Sequence, residues 1–289
     1  RTPLRQSPAM SQPRFLDQLF NLADRRVLVM GGTGVLGRTI AAGFHRAGCR
    51  VAITSTRTEK GEQVAREIGL ASPGGMSLEV NALDRASLEN ARDALRRAWG
   101  GIDVLVNAVG GNDPRATVSP TGSFFSLDTK AIEDVWQLNF LGGALLPIQV
   151  FGEMMQQQDN DVSIINISSM AALGALTRVV AYSAAKAAVD NLTRWLAVEL
   201  ARRHGRRFRV NAVAPGFFLT EQNRFLLLDE KTGDLTDRGK SVIAHTPVRE
   251  FGRPDELQGA CLWLASDAAR FVTGVTIPVD GGFSAFGGV

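Results

Sequence analysis

Val27-Leu28-Val29-Met30-Gly31-Gly32-Thr33-Gly34-Val35-Leu36-Gly37 is the stretch whose reading decides the fold. Four apolar residues in a row read as a short strand buried on both faces. Gly31, Gly34 and Gly37 follow in Gly-x-x-Gly-x-x-Gly spacing. A helical pattern then runs from Val35 to Ala47 and closes at Gly48. Strand, glycine loop and helix in that order are the setting a dinucleotide requires. Glycines let the backbone approach a pyrophosphate, whose charge then meets the helix N-terminus. Gly31, Thr33, Gly34, Val35, Leu36 and Gly37 are therefore candidate cofactor contacts. By itself the spacing would also suit a plain strand–helix turn.

The same order repeats along the chain. Strands are expected at Val51–Thr54, Met76–Val80, Ile102–Asn107, Val162–Ile167, Phe208–Ala214 and Val275–Val279. Helices are expected at Thr58–Ile68, Arg85–Trp99, Asp128–Gln157 (with Pro147 a kink), Val179–Arg203 and Asp255–Ala265. Alternating strands and helices imply an α/β fold: one Rossmann-type, doubly wound parallel sheet of about seven strands, with helices on both faces. Residues 1–20 are expected to form a flexible tail and 21–289 the single NAD(P)-binding domain. The rhythm breaks at about 217–250, which reads as a substrate lid.

A dinucleotide fold of this kind expects an acid at the end of the second strand, to hold the ribose 2′-hydroxyl. Here the strand ends Thr54-Ser55-Thr56-Arg57. Hydroxyls and an Arg suit a 2′-phosphate, which Arg binds through paired, charge-assisted hydrogen bonds. Ser55, Thr56 and Arg57 thus favour NADP(H), with NAD(H) the alternative.

Tyr182 is the only tyrosine. Lys186 stands one helical turn later, on the same face. Ser169 ends the run Ile164-Ile165-Asn166-Ile167-Ser168-Ser169. A cation beside a phenol lowers its pKa from about 10 and fits it for proton transfer at a carbonyl or alcohol oxygen. Tyr-x-x-x-Lys alone is common by chance; its surroundings carry the reading.

Together these pieces resemble the short-chain dehydrogenase/reductase family over nearly the whole chain, from Arg26 to about Phe283. The resemblance implies a catalytic tetrad of Asn139, Ser169, Tyr182 and Lys186, with Lys186 also bonding the nicotinamide ribose and Asn139 serving a proton relay. It implies cofactor contacts at Asn81 and Ala82, at Asn107, Ala108 and Gly110 in the turn Asn107-Ala108-Val109-Gly110, and at Pro215, Gly216, Phe218 and Thr220. Met30 departs from the family's Thr before the glycine loop, and Ala108 from its second Asn. A closer likeness, carried by Gly110-Gly111-Asn112-Asp113-Pro114, Pro215–Arg224, Ala244-His245-Thr246-Pro247 and Val279–Phe286, is to the branch of D-mannonate oxidoreductases (fructuronate reductases), beside gluconate 5-dehydrogenase-like neighbours. That branch implies a sugar-acid substrate and contacts from Asn112, Ser169, Met170, Gln222, Asn223 and Arg224. Arg224 is the residue expected to take the carboxylate. The family also implies a homo-oligomer, a tetramer or dimer joined through the helices at 128–157 and 179–203.

Composition narrows the field further. The chain is 45% hydrophobic and 21% charged, as globular proteins are. A net charge of +3 is too weak and too scattered to suggest nucleic acid. Cys49 and Cys261 make neither a disulfide framework nor a metal-ligand spacing, so no metal is expected and a reducing, cytoplasmic setting is. No stretch reads as a membrane span. Two other readings stay open: a ketoreductase for acyl chains on a carrier, and a protein that binds NADP(H) without turnover. The mixed charges of Glu221, Arg224, Asp229, Glu230 and Lys231 favour a small polar substrate over a carrier protein.

Overall fold

The computed structural model describes residues 15–70, 74–220 and 223–288. Its seven strands are β1 (Arg26–Met30), β2 (Arg50–Ser55), β3 (Met76–Glu79), β4 (Val104–Asn107), β5 (Val162–Ile167), β6 (Phe208–Pro215) and β7 (Thr276–Val279). All pair in parallel, in the order β3-β2-β1-β4-β5-β6-β7. The order reverses between β1 and β4. In an open parallel sheet such a switch point leaves a crevice beyond the carboxyl ends of the strands, where ligands bind.

The helices are α1 (Phe15–Phe20), α2 (Val35–Arg46), α3 (Thr58–Glu67), α4 (Arg85–Trp99), α5 (Thr129–Trp136), α6 (Leu146–Gln156), α7 (Val180–His204), α8 (Arg224–Leu227), α9 (Asp237–His245) and α10 (Leu257–Ala265). Local chemistry sets several ends. Asp84 caps α4 by accepting from the Ala86 N–H, and Gly100 closes it at φ 76°. Thr236 caps α9 by accepting from the Gly239 N–H.

The inner strands serve two cores. Val27 and Val29 of β1 face one layer with Ile40, Phe44 and Leu264; Leu28 and Met30 face the other with Leu88, Phe151 and Val210. Side chains alternate between faces, and both faces are covered, so an unbroken apolar run is what such a strand needs. At the opposite end from the site, Arg26 grips Asp103 through its Nε (3.0 Å) and Nη2 (2.5 Å) and locks β1 to β4.

Three expectations change. The tail expected over 1–20 is helical at Phe15–Phe20, while residues 1–14 lie outside the described residues. The long helix is irregular before Pro147: Gln137–Leu145 is a π-helix, and Pro147 sits in the first turn of α6. That same continuous helix, Thr129–Gln156, is long and apolar enough to cross a membrane by length and composition, with mean hydropathy 1.2. Its apolar side chains are spent on the core instead: Val150, Phe151, Met154 and Met155 are fully buried in the layer under β4 and β5.

Candidate active site

The loop after β1 has room only for glycine at its tightest points. Gly31 has φ 71°, and a Cβ there would lie 2.9 Å from the Ala108 carbonyl oxygen. A Cβ on Gly37 would lie 2.3 Å from the Gly31 oxygen. Gly34 is the N-cap of α2 and offers no side chain to its N–H groups, so those donors face outward uncapped. Thr54 steadies the loop by accepting from the Gly31 N–H at 2.9 Å. An uncapped helix start behind a close-fitting glycine turn fits a pyrophosphate. At the end of β2, Ser55 is buried, while Thr56 and Arg57 are exposed. Among the described residues Arg57 has no carboxylate partner, so its guanidinium is free for a phosphate.

Ser169 lies just past the carboxyl end of β5. It caps a single turn, Met170–Ala172, by accepting from the Ala171 N–H at 3.1 Å. Tyr182 and Lys186 occupy the first turns of α7, with Lys186 Nζ 5.7 Å from the phenol ring centre. The Lys186 ammonium donates to the Ile167 carbonyl at 2.8 Å, which ties α7 to β5. Burial depresses the Lys186 pKa to about 8, and Asp190, one turn further on, opposes the shift.

Here the expected electrostatics need correction. The Tyr182 pKa is raised, not lowered: desolvation pushes it up, and the nearby Ser169 hydroxyl pulls part of the way back. Lys186 does not lower it, because its Nζ is turned to Ile167 and its own charge is weakened by burial. A phenol held protonated is poised to donate.

Asn139 sits inside the π-helical stretch and is fully buried. Its Nδ2 donates to the Val135 carbonyl (2.8 Å) and the Gly111 carbonyl (2.7 Å), and its Oδ1 accepts from the Gly111 N–H (3.2 Å). The side chain takes the Val135 oxygen that a regular α-helix would give to the backbone, which accounts for the widened turn. Both amide hydrogens are committed, so Asn139 shapes the loop at 110–111. Only its Oδ1 retains capacity for the relay expected of it.

Behind the tetrad runs a buried polar ladder that the sequence reading missed. Asn107 donates to Asn166 (2.9 Å), Asn166 to Thr193 (2.8 Å), and Thr193 to the Val189 carbonyl (2.8 Å). Nearby, Asp190 Oδ1, Ser168 Oγ and Thr276 Oγ1 are buried without a formed hydrogen bond. They face one another closely enough for the two hydroxyls to offset part of the burial that raises the Asp190 carboxyl. The available signal was Asn166 itself, a lone amide in the apolar run Ile164–Ile167.

Other expected contacts divide. Asn81 lies past β3, its Oδ1 accepting from the Leu83 N–H at 3.0 Å. Ala82 is packed in the core. Gly216 hydrogen-bonds β7 at Val279 (2.9 Å). Phe218 is a correction: its ring is buried in the core against Gly252, which leaves only its backbone to meet a cofactor. Asn223 is another. Its Oδ1 accepts from the Thr220 N–H and its Nδ2 donates to the Phe218 carbonyl, both at 2.8 Å, so it holds a turn. Met170 is buried beside Ser169, and Asn112 is exposed with Nδ2 on Thr117 (3.0 Å). Arg224 is exposed on α8 and borders neither of two nearby cavities. Gln222 lies outside the described residues. No group of residues able to hold a metal occurs among the described residues.

A glycine turn fitted to a pyrophosphate, with Ser169, Tyr182 and Lys186 across the switch-point crevice, marks an oxidoreductase that uses a nicotinamide dinucleotide. Residues 33–284 match a family profile described as enoyl-(acyl carrier protein) reductase. The chain belongs to the short-chain dehydrogenase/reductase family. It is 44% identical to an uncharacterized oxidoreductase, UxuB, of Bacillus subtilis, over 93% of this chain and 98% of the relative. A crystal structure from Haemophilus influenzae, provisionally assigned as a D-mannonate oxidoreductase and holding NAD, superposes with TM-score 0.85 at 38% identity, covering 93% of this chain and 98% of the other. A gluconate 5-dehydrogenase from Burkholderia cenocepacia, in complex with NADP and tartrate, gives TM-score 0.80 at 29% identity over 93% and 98%.

Proposed function

We propose that this protein interconverts the ketone and secondary alcohol of a sugar acid, with D-fructuronate and D-mannonate as the pair and NADP(H) as the favoured cofactor. The observation that carries the chemistry is the placement of Ser169 just past the carboxyl end of β5, with Tyr182 and Lys186 one turn apart at the start of α7. The dinucleotide, when bound, supplies hydride to the carbonyl carbon. Gly31, Gly34 and Gly37 would receive its pyrophosphate, Arg57 its 2′-phosphate, and the Asn107–Gly110 turn and Lys186 its nicotinamide ribose end. Tyr182 donates its phenolic proton to the substrate oxygen as negative charge builds there. Ser169 hydrogen-bonds the same oxygen and holds it in line. The phenolate that results regains its proton from solvent, with the Lys186 ammonium, one turn away, passing it on.

The substrate rests on the likeness to the Haemophilus influenzae protein and on the resemblance that Pro215–Arg224 and Val279–Phe286 carry to the D-mannonate oxidoreductase branch. The gluconate 5-dehydrogenase with tartrate supports a second reading, 5-keto-D-gluconate as the ketone. Incubation with NADPH and D-fructuronate, with the product identified by NMR, tests the proposal: D-mannonate is expected, and no conversion would overturn it.

We also propose a homo-oligomer built on α7 and the 129–156 helix. Trp195 and Val198, each 60% exposed, form an apolar patch on α7. A monomer by light scattering would contradict this.

A further inference from the structure

A cavity of about 460 Å³ opens beside the crevice. Its walls come from segments that leave the carboxyl ends of two strands. Leu176 and Thr177 belong to the loop joining Ser169 to Tyr182, and Phe217 follows the end of β6. The lid closes the other side with Arg238, Ser241 and His245 of α9. His245 is wedged against Phe283 (4.7 Å) and Phe286 (5.2 Å), which fixes the rear wall.

Two cations meet here without an anion. Arg238 lines the cavity, and Arg178 lies close enough for their charges to repel. Arg178 is held from behind: its Nε donates to the Val118 carbonyl at 2.7 Å, its own carbonyl accepts from the Val118 N–H at 3.0 Å, and its backbone is left-handed at φ 78°. A left-handed, non-glycine residue is uncommon and is kept where its surroundings fix it. Among the described residues neither guanidinium has a carboxylate partner, and the Arg238 side chain makes no hydrogen bond. Arg224, by contrast, stands exposed on α8 and lines no part of this cavity.

We propose that Arg238, backed by Arg178, anchors the carboxylate of the sugar-acid substrate, with Thr177, Ser241 and His245 facing its hydroxyls. The assignment rests on the sugar-acid reading above and replaces Arg224 as the expected anchor. Burial and the Arg178 charge both weaken the ionisation of Arg238. A carboxylate seated on Arg238 in the cavity offsets that repulsion, and its planar shape matches the guanidinium fork.

The test compares Arg238→Gln with Arg224→Gln and the wild type. Steady-state kinetics are taken with D-fructuronate and with D-fructose, a ketose without the carboxylate. In Arg238→Gln the KM for D-fructuronate should rise about 10- to 100-fold, as loss of a charge-assisted bond implies, with kcat within about twofold. Kinetics with D-fructose and binding of NADPH should not change, and Arg238→Lys should restore part of the loss. Arg224→Gln should leave the KM for D-fructuronate unchanged. An unchanged KM in Arg238→Gln, or equal losses for the acid and the ketose, would overturn the assignment while the functional reading stands. If the wild type reduces no sugar acid, that reading fails, and calorimetric titration with D-mannonate and tartrate decides the site separately. Binding to the wild type that Arg238→Gln abolishes would keep the anion site; binding that survives in the variant, or none to the wild type, would remove it.

Discussion

Gly110→Ala probes how tightly the tetrad is fitted. Gly110 is not among the glycines with positive φ, so alanine meets no backbone penalty and should gain about 0.4–1 kcal/mol by restricting the unfolded chain. Its Cβ, however, would lie 2.6 Å from Asn139 Oδ1 and 3.2 Å from Lys186 Nζ. Neither neighbour can retreat freely. Asn139 is fully buried and spends its amide on Val135 and Gly111, and Lys186 is tied to the Ile167 carbonyl. Crowding of this sort costs about 1–3 kcal/mol, and a buried hydrogen bond left unmade costs about as much again. Less the gain from the unfolded chain, the net loss is about 3 kcal/mol. At about 2.1 cal/mol/K per residue of unfolding entropy, that lowers Tm by about 5 °C. Activity should suffer far more, since displacing a catalytic group by about 1 Å can cost about 10²-fold. The assay is kcat/KM beside Tm, with Gly259→Ala as the control, where an added Cβ on α10 meets nothing within 4 Å. The control should be neutral or stabilised by up to about 1 kcal/mol. A fully active Gly110→Ala enzyme would refute the packing argument.

Two further variants address charge. Lys186 has a folded pKa of about 8, below the ordinary 10.5, because burial disfavours its ammonium. Between those values the unfolded chain holds a proton that the native state has released, so this group makes stability rise with pH across the window. Lys186→Met should therefore be about 2–3 kcal/mol more stable than wild type at pH 7 though inactive, with the difference closing by about pH 10.5; denaturant midpoints at pH 7 and pH 10 that shift in parallel would contradict this. Arg57→Ala should weaken NADPH binding by about 10-fold or more and NADH binding by less than about twofold, as fluorescence titration would read. Equal losses would remove the 2′-phosphate argument.

The sheet was legible because each inner strand is buried on both faces: Val27–Met30 is an unbroken apolar run, and Val162–Ile167 is apolar but for Ser163 and Asn166, whose side chains are hydrogen-bonded. Ser169, Tyr182 and Lys186 drew notice as a lone tyrosine with a lysine one turn later and a serine ending an apolar run, while Asn139 came from the family resemblance. What escaped depends on three-dimensional proximity. The ladder Asn107–Asn166–Thr193 joins two strands and a helix, and no spacing announces it. The π-helical turn arises when the Asn139 side chain takes a backbone carbonyl, which propensity does not reveal. Arg224 was favoured because it follows the Pro215-Gly216 turn in sequence, but α8 carries it outward while α9 brings Arg238 to the cavity. The direction of the Tyr182 shift turned on how deeply the phenol is buried, and only coordinates give that.

The measurement that bears most directly on the account is the initial rate of NADPH and NADH oxidation with D-fructuronate and with 5-keto-D-gluconate, for wild type and Tyr182→Phe side by side. The account predicts turnover by wild type, fastest with D-fructuronate and NADPH. It predicts a loss of at least about 10²-fold in Tyr182→Phe with cofactor binding intact, as removal of a general acid requires. Near-normal turnover in Tyr182→Phe, or a wild type that oxidises neither cofactor with either acid, would contradict it.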